Sequence, residues 1–263
     1  MTWFEALILG LLQGLTEFLP VSSSGHLELG AAIFGLEEEN LTFSIIVHGA
    51  TFLSVLVVFR YDILQLITGV LRFQWNDDET KFVFLLVISA IPVGIVGILF
   101  KSEIETLFDG NILFVGIMLL ITSLLLFLTR FAPQKKKEVN VKTALIIGIA
   151  QTFAILPGIS RSGATISTAL YLGIDRVKAT RFSFLMVLIP IFGASFLEVM
   201  ELASAAGPSA IAPSSLLTGA MAAFLSGLLA CSWMLKIVRR GKLAYFSIYT
   251  AIAGILAIYF GLF

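Results

Sequence analysis

Charge is what this sequence has least of. Only 13% of its 263 residues are Asp, Glu, Lys or Arg, while 58% are hydrophobic and the mean hydropathy is +1.01. A soluble domain carries roughly 25% charged residues, so the composition excludes a soluble globular enzyme and implies an integral membrane protein. The net charge is zero, and no basic excess points to a nucleic-acid partner. Cysteine occurs once, at Cys231, which rules out an intrachain disulfide and leaves the redox compartment open. Walker, HExxH and CxxC patterns are all missing, so P-loop, zinc-protease and thiol-redox chemistry have no signature here. A basic n-region and a cleavage site are also missing at the N-terminus. The first apolar run, which carries Gln13 and Glu17 instead, is expected to be retained.

What is present is length in apolar runs. A spanning helix needs about 20 mostly apolar residues, and six segments reach that, at about 41–60, 81–101, 111–131, 182–202, 214–236 and 244–262. Two further pieces, 3–19 and 143–156, are shorter. Each is followed by a polar Pro/Ser/Gly break and then by another short apolar piece, 25–35 or 163–173. Interrupted apolar segments at matching places in two halves are the pattern of broken or re-entrant helices. The fold class expected is therefore an all-α integral membrane protein, one membrane domain made of two inverted repeats, 1–132 and 141–263. Each repeat is read as a re-entrant helix pair plus three transmembrane helices. Three crossings is an odd number, so the two hairpins should enter from opposite faces and meet near the midplane.

Charge sorting supports that topology. The loops at 61–80, 132–142, 174–181 and 237–243, with their helix ends, fall on one side and hold 15 of the 17 basic residues; Lys101 and Arg161 are the other two. The opposite side carries Glu37, Glu38, Glu39, Glu103, Glu105 and Asp109. The positive-inside rule makes the basic side cytoplasmic and both termini external, in a multi-pass plasma-membrane protein. Within the loop at 61–80 the apolar-rich stretch around Trp75 is either an interfacial helix or an extension of the preceding span.

The polar residues concentrate in Gln13 to His26, QGLTEFLPVSSSGH, and in a partner stretch 138 residues later. Ala6, Leu7, Ile8, Gly10, Gln13, Ser22, Ser24 and Gly25 recur as Ala144, Leu145, Ile146, Gly148, Gln151, Ser160, Ser162 and Gly163, while Pro20 and Pro157 miss the register by one residue. Glu17 and His26 belong to the first copy alone, and Arg161 to the second. Ionisable groups at membrane depth are expensive and mark functional sites. Gln13 and Glu17, four residues apart, share one helix face.

Each of these residue types points to phosphate chemistry. Arg161 has a planar fork of donors suited to phosphate or carboxylate. It is flanked by Ser160, Ser162 and Gly163 where a helix should begin, and backbone N–H groups favour an anion there. Thr165 adds a hydroxyl one turn on, and Ser22, Ser24 and Gly25 offer the same in the first copy. Alternatively, Arg161 and Glu17 form a purely structural ion pair. Glu17 can bind a divalent cation, act as a base, or balance Arg161, and Gln13 can lend the metal an amide oxygen or join helices. Magnesium, which prefers one or two carboxylates plus substrate phosphates, suits a site with a single firm acid. His26 can serve as nucleophile, base or acid, whereas His48, within a span, reads as structural.

The two motifs resemble those of the bacitracin-resistance type undecaprenyl-diphosphate phosphatases. That family carries (Glu/Gln)-x-x-x-Glu followed by a Ser/Thr-rich loop ending in Gly-His, and P-G-x-S-R-S-x-x-T. Here they stand as QGLTEFLPVSSSGH, with Gln13 at the variable position, and as PGISRSGAT from Pro157 to Thr165. The segments RFSFLMVLIP and RRGKLAYFSIY are similar to the family too, so the resemblance spans essentially the whole chain; His48 stands where its members vary. The resemblance implies hydrolysis of a polyprenyl diphosphate to the monophosphate, recycling the lipid carrier for cell-wall glycans and conferring bacitracin resistance. It also implies a Mg2+ or Ca2+ cofactor, and Glu17, Ser23, His26 and Arg161 match the family's catalytic residues. Whether Ser23 or His26 attacks phosphorus is open. The expected partners are the lipid diphosphate, membrane lipids and, as an open question, a second copy in a homodimer. The rival reading is a polyprenyl-phosphate flippase or secondary transporter built on the same inverted-repeat site. Acidic residues near the first motif, Glu28 among them, suggest a site opening to the external face.

Overall fold

Backbone polar groups in a bilayer must be satisfied within the protein, and helices do this segment by segment. The computed structural model describes residues 1–36, 41–72, 77–105, 111–133, 135–204 and 211–262. Trp75, Asp109 and the run Glu37, Glu38 and Glu39 lie outside the described residues, as does the side chain of Glu105. Helices follow one another as α1 (Trp3–Phe18), α2 (Ser23–Ile33), α3 (Leu41–Val58), α4 (Arg60–Leu71), α5 (Asp78–Leu99), α6 (Lys101–Glu105) and α7 (Ile112–Leu128). After a connector come α8 (Val141–Phe153), α9 (Arg161–Tyr171), α10 (Arg176–Met186), α11 (Leu188–Ser204), α12 (Pro213–Arg239) and α13 (Phe246–Leu262). Among the described residues no strand forms, only an isolated bridge between Lys137 and Ile174.

The six long apolar segments all become helices. α5, α12, α7 and α13 with their short flanking turns, and α10 running into α11 are each long and apolar enough to cross a membrane. α3 joined to α4 makes the sixth candidate, but the two are bent by 76°. With that angle α4 turns away from α3 and is not a straight extension of it. The segment expected at 182–202 starts earlier, at Arg176, and changes helix at Val187. Pro190 has no N–H to give to the carbonyl of Met186, which accounts for the interruption.

The motif helices are too short to cross. At about 1.5 Å per residue, α1 spans about 24 Å and α2, α8 and α9 about 16–20 Å, against a hydrocarbon core of about 30 Å. α8 and α9 begin 138 residues after α1 and α2, and α9 ends 138 after α2. The caps keep the same offset. Thr2 and Asn140 each form a reciprocal capping box at the start of α1 and α8, and Ser22 and Ser160 cap α2 and α9.

Small residues let these helices interlock with the other half of the chain. α1 lies against α12, where Gly10 faces the backbone of Gly219 and Gly14 faces Ala223 and Ser226. α8 lies against α5 with Gly148 on the backbone of Ser89, and α7 against α13 through Gly116 and Gly254. Lipid tails are as apolar as Leu, so close backbone packing of this kind, more than hydrophobic burial, holds helices together in a bilayer.

The buried apolar side chains form two clusters. Ala6, Leu9, Leu27, Phe43, Val47, Ile211 and Ala223 form one, with Met1, Phe34 and Leu36 packed on it. Phe59, Leu66, Leu126, Ile174, Ile237 and Leu243 belong to the other, beside the basic turns. There the connector is pinned to the α9–α10 turn. Lys137 N–H donates to Gly173 O at 2.9 Å, and Asp175 N–H donates to Lys137 O at 3.1 Å. The ion pair Lys178–Glu138 adds to the join, and Arg181–Asp62 ties α10 to α4. Large side chains such as Ile98, Leu124, Leu229 and Ile252 stay exposed on the outer faces, where lipid would cover them.

The glycine contacts make a direct prediction. A Cβ at Gly148 would overlap the Ser89 carbonyl, which is backbone and cannot yield, while one at Gly94 meets nothing within 4 Å. Gly148→Ala should destabilise the protein by about 1–3 kcal/mol. Gly94→Ala should be neutral or slightly stabilising, because Ala is the better helix former. Thermal melts of the two variants in detergent check this.

Candidate active site

The first motif reverses direction at Leu19–Ser22. α1 ends at Phe18, Pro20 follows, and Ser22 takes a left-handed backbone with φ of 69°. For a residue with a Cβ that conformation costs about 1–3 kcal/mol and persists only where the surroundings enforce it. Here Ser22 caps α2, its hydroxyl accepting from Gly25 N–H at 3.4 Å, and its carbonyl accepts from His26 N–H at 3.2 Å and His26 Nδ1–H at 2.8 Å. The second motif turns through Gly158, at φ of 93°, and Ser160 caps α9 by accepting from Gly163 N–H at 3.1 Å. Both copies also pair their serines. Ser22 Oγ lies 3.3 Å from Ser24 Oγ, and Ser160 Oγ 3.3 Å from Ser162 Oγ.

The two turns meet. Ser162 Oγ donates to Leu19 O at 3.2 Å, and a Cβ on Gly25 would sit 3.2 Å from Gly158 Cα. Thr122 of α7 supports the crossing from behind, its hydroxyl donating to Gly158 O at 2.9 Å and accepting from Ser160 N–H at 3.0 Å. One buried hydroxyl thus satisfies two backbone groups that the second turn leaves outside any helix.

Glu17 is the centre of what this crossing assembles. One carboxylate oxygen pairs with Arg161 Nη2. The other accepts from Ser23 Oγ at 2.5 Å and from Gln13 Nε2 at 3.0 Å. Glu17 and Gln13 are buried, and the Arg161 side chain is 19% exposed, so the pair has an opening on the arginine side. Two polar atoms here are buried without a hydrogen-bond partner, Arg161 Nη1 and Gln13 Oε1. The first can receive an anionic oxygen. The second, next to a carboxylate, suits a cation. Among the described residues no group of three His, Cys, Asp or Glu side chains converges, so a divalent ion would take Glu17 and Gln13 and complete its shell with water and substrate oxygens.

His26 shares a helix face with Ser23, three residues back. Its Nε2 lies 2.8 Å from the hydroxyl of Tyr249 in α13, with the two rings 11° from parallel. Other expectations land differently. The Thr165 hydroxyl donates to the carbonyl of Arg161 at 2.9 Å, within its own helix. The Gly25 and Gly163 amides serve the serine caps, and both glycines sit where the turns cross. Glu28 is buried, 7% exposed, and not at a mouth. His48 bonds the Ser44 carbonyl at 2.9 Å, as a structural histidine would, yet lies within electrostatic reach of Glu17.

Sequence reasoning missed Thr122 and Tyr249. A lone hydroxyl on an apolar helix carries no spacing signal. Tyr249 lies inside the closing RRGKLAYFSIY segment, which similarity singled out without giving any residue a role.

Residues 6–256 match the family model described as bacitracin resistance protein BacA. A protein named undecaprenyl-diphosphatase from Christiangramia forsetii is 53% identical over 263 residues, 98% of this chain and 97% of that one. Another of that name, from Parabacteroides distasonis, is 52% identical over 98% of both chains. A third, from Salinibacter ruber, is 43% identical over 97% of both.

The support of the second turn can be tested by itself. Thr122→Val keeps the shape of the side chain but leaves Gly158 O and Ser160 N–H unpaired. It should cost about 1–3 kcal/mol for each group, seen as a lower melting temperature. Thr122→Ser should restore most of the loss.

Proposed function

The chain belongs to the bacitracin resistance protein BacA family, and from that premise we propose that it is an integral-membrane undecaprenyl-diphosphatase working at the Glu17–Arg161 centre. It hydrolyses the lipid diphosphate to the monophosphate and phosphate. The observation that carries the assignment of the site is a hydroxyl held on a carboxylate beside a guanidinium with one unpartnered nitrogen: Ser23 on Glu17, next to Arg161.

Phosphoryl transfer needs positioning and charge stabilisation above all. Arg161 Nη1 binds the diphosphate, with Ser24, whose hydroxyl makes neither a cap nor a backbone bond, beside it. Ser23 Oγ attacks the terminal phosphorus as its proton passes to Glu17, and the bond to the bridging oxygen breaks. The lipid monophosphate leaves as a stable anion. Water then attacks the phosphoserine, giving its proton to the bare Nε2 of His26, and Ser23 recovers its own from Glu17. The choice of Ser23 over His26 as nucleophile follows from their partners. The Ser23 hydroxyl already points at the Glu17 carboxylate, a base that can take its proton, while Nε2 of His26 faces the Tyr249 hydroxyl, which a water can displace. A magnesium or calcium ion, held by Glu17 and Gln13 Oε1, would supply charge neutralisation to the diphosphate. The same hydroxyl–carboxylate pair speaks for breaking a bond over carrying a lipid phosphate across the membrane.

We place the site on an inverted pair of repeats, 1–132 and 141–263. Equal offsets of helix bounds and caps support this, as does the way α1 packs on α12 and α8 on α5, each a spanning helix of the other half. The basic end of the bundle faces the cytoplasm, both termini lie outside, and the site opens outward.

Purified protein in detergent should release phosphate from C15 or C55 prenyl diphosphate, and chelation should stop it. Glu17→Gln, Ser23→Ala and Arg161→Lys should each reduce kcat/KM by at least about a hundredfold. No release with metal present sinks the reading. Orientation has its own check, with a cysteine at position 23 in a Cys231→Ser background. A membrane-impermeant thiol reagent should label it on intact cells, and labelling only after the inner face is exposed overturns the outward opening.

A further inference from the structure

His26 has two ring nitrogens, and the fold occupies both. Nδ1 lies 2.8 Å from the carbonyl of Ser22, which can only accept, so Nδ1 carries a hydrogen. In the neutral ring Nε2 is therefore bare, and the group 2.8 Å from it is the Tyr249 hydroxyl, which must donate. That hydroxyl comes from 223 residues away and is delivered through α7. α13 packs on α7 through Gly116 and Gly254, and its first turn is fastened where Ser123 Oγ donates to Ser247 O at 2.7 Å. The neighbouring residue, Thr122, holds the second turn of the site. One stretch of α7 thus sets both the Arg161 side of the site and the tyrosine that meets His26.

We propose that Tyr249 is a positioning residue for His26, holding Nε2 aligned for proton transfer without fixing its charge. The assignment of a reaction to His26 rests on the diphosphatase reading; the Tyr249–His26 coupling does not. A phenol hydroxyl can rotate. It donates to a bare Nε2, and it accepts from Nε2–H once the ring is protonated. The ring keeps one orientation in both states, with Nδ1–H on Ser22 O throughout. A carboxylate in the same place would hold the imidazolium and oppose release of the proton. The near-parallel rings, 11° apart with centroids at 5.6 Å, add a second restraint on the imidazole plane. Tyr249 is itself half exposed, so its ring forms the outer wall beside His26 and can give way when water or a phosphate oxygen takes its place on Nε2.

Tyr249→Phe removes the hydroxyl and keeps the ring. It is expected to lower kcat by about three- to tenfold, the worth of one hydrogen bond, with KM unchanged. A second readout needs no activity. The chain has only two histidines, so His48→Asn assigns the imidazole nitrogen resonances by NMR in detergent. In Tyr249→Phe the His26 Nε2 resonance should move to the position of an unbonded nitrogen, while its Nδ1 resonance and both of His48 stay. Fluorotyrosine at position 249, which changes the hydroxyl's acidity and leaves the fold alone, should move the same resonance. Tyr245→Phe, on an exposed side chain one turn earlier, should change nothing. An unchanged Nε2 resonance, an unchanged kcat, or a loss confined to KM overturns the proposal. A wild-type protein that fails to hydrolyse the lipid sinks the diphosphatase reading instead, and the resonances still decide whether Tyr249 holds His26.

Discussion

A single charge pair inside a membrane protein organises this structure. Neither Glu17 nor Arg161 is tolerable alone at membrane depth, where leaving one ion of a buried pair without its partner costs about 3–5 kcal/mol. The pair forms where two turns from opposite halves of the chain meet, at the ends of short helices. Around it stand α1 and α8, the two turns with their left-handed residues Ser22 and Gly158, and the serine caps that start α2 and α9.

Stopping a helix inside a bilayer exposes backbone that lipid cannot satisfy. At these turns side chains take the backbone groups. Thr122 takes Gly158 O and Ser160 N–H, Ser162 takes Leu19 O, and the cap serines take the amides of Gly25 and Gly163. Much of the serine and threonine in the motifs thus maintains the turns. Fewer hydroxyls remain to face a ligand than the composition suggests, and Thr165, turned to the Arg161 carbonyl, is the clearest example. Ser23 differs because its acceptor is a carboxylate.

Close helix contacts supply the rigidity that such a site needs. Gly10 and Gly14 on α12, Gly148 on α5, and Gly116 with Gly254 between α7 and α13 bring backbones together in pairs that always join one half to the other. A reacting group out of place by an ångström loses much of its rate advantage. Helices interlocked at their backbones resist such displacement better than flexible apolar side chains would.

The sequence alone determined the membrane class, the six long apolar segments, the two interrupted ones and their offset of 138, because composition and helical period are local properties that survive without knowledge of contacts. It also singled out Gln13, Glu17, His26, Arg161 and the serine runs, since polar groups stand out in an apolar chain, while the choice of Ser23 among the serines came from the family resemblance. Tertiary structure decided everything that depends on who meets whom. Arg161 finds Glu17 across 144 residues and Tyr249 finds His26 across 223. Spacing within one helix cannot forecast either contact. The break at Val187, the 76° turn after α3 and the support from Thr122 were equally out of reach. The 76° turn and the Thr122 contacts depend on how segments pack against one another, whereas the break at Val187 has a local cause in Pro190 that the apolar pattern alone did not reveal.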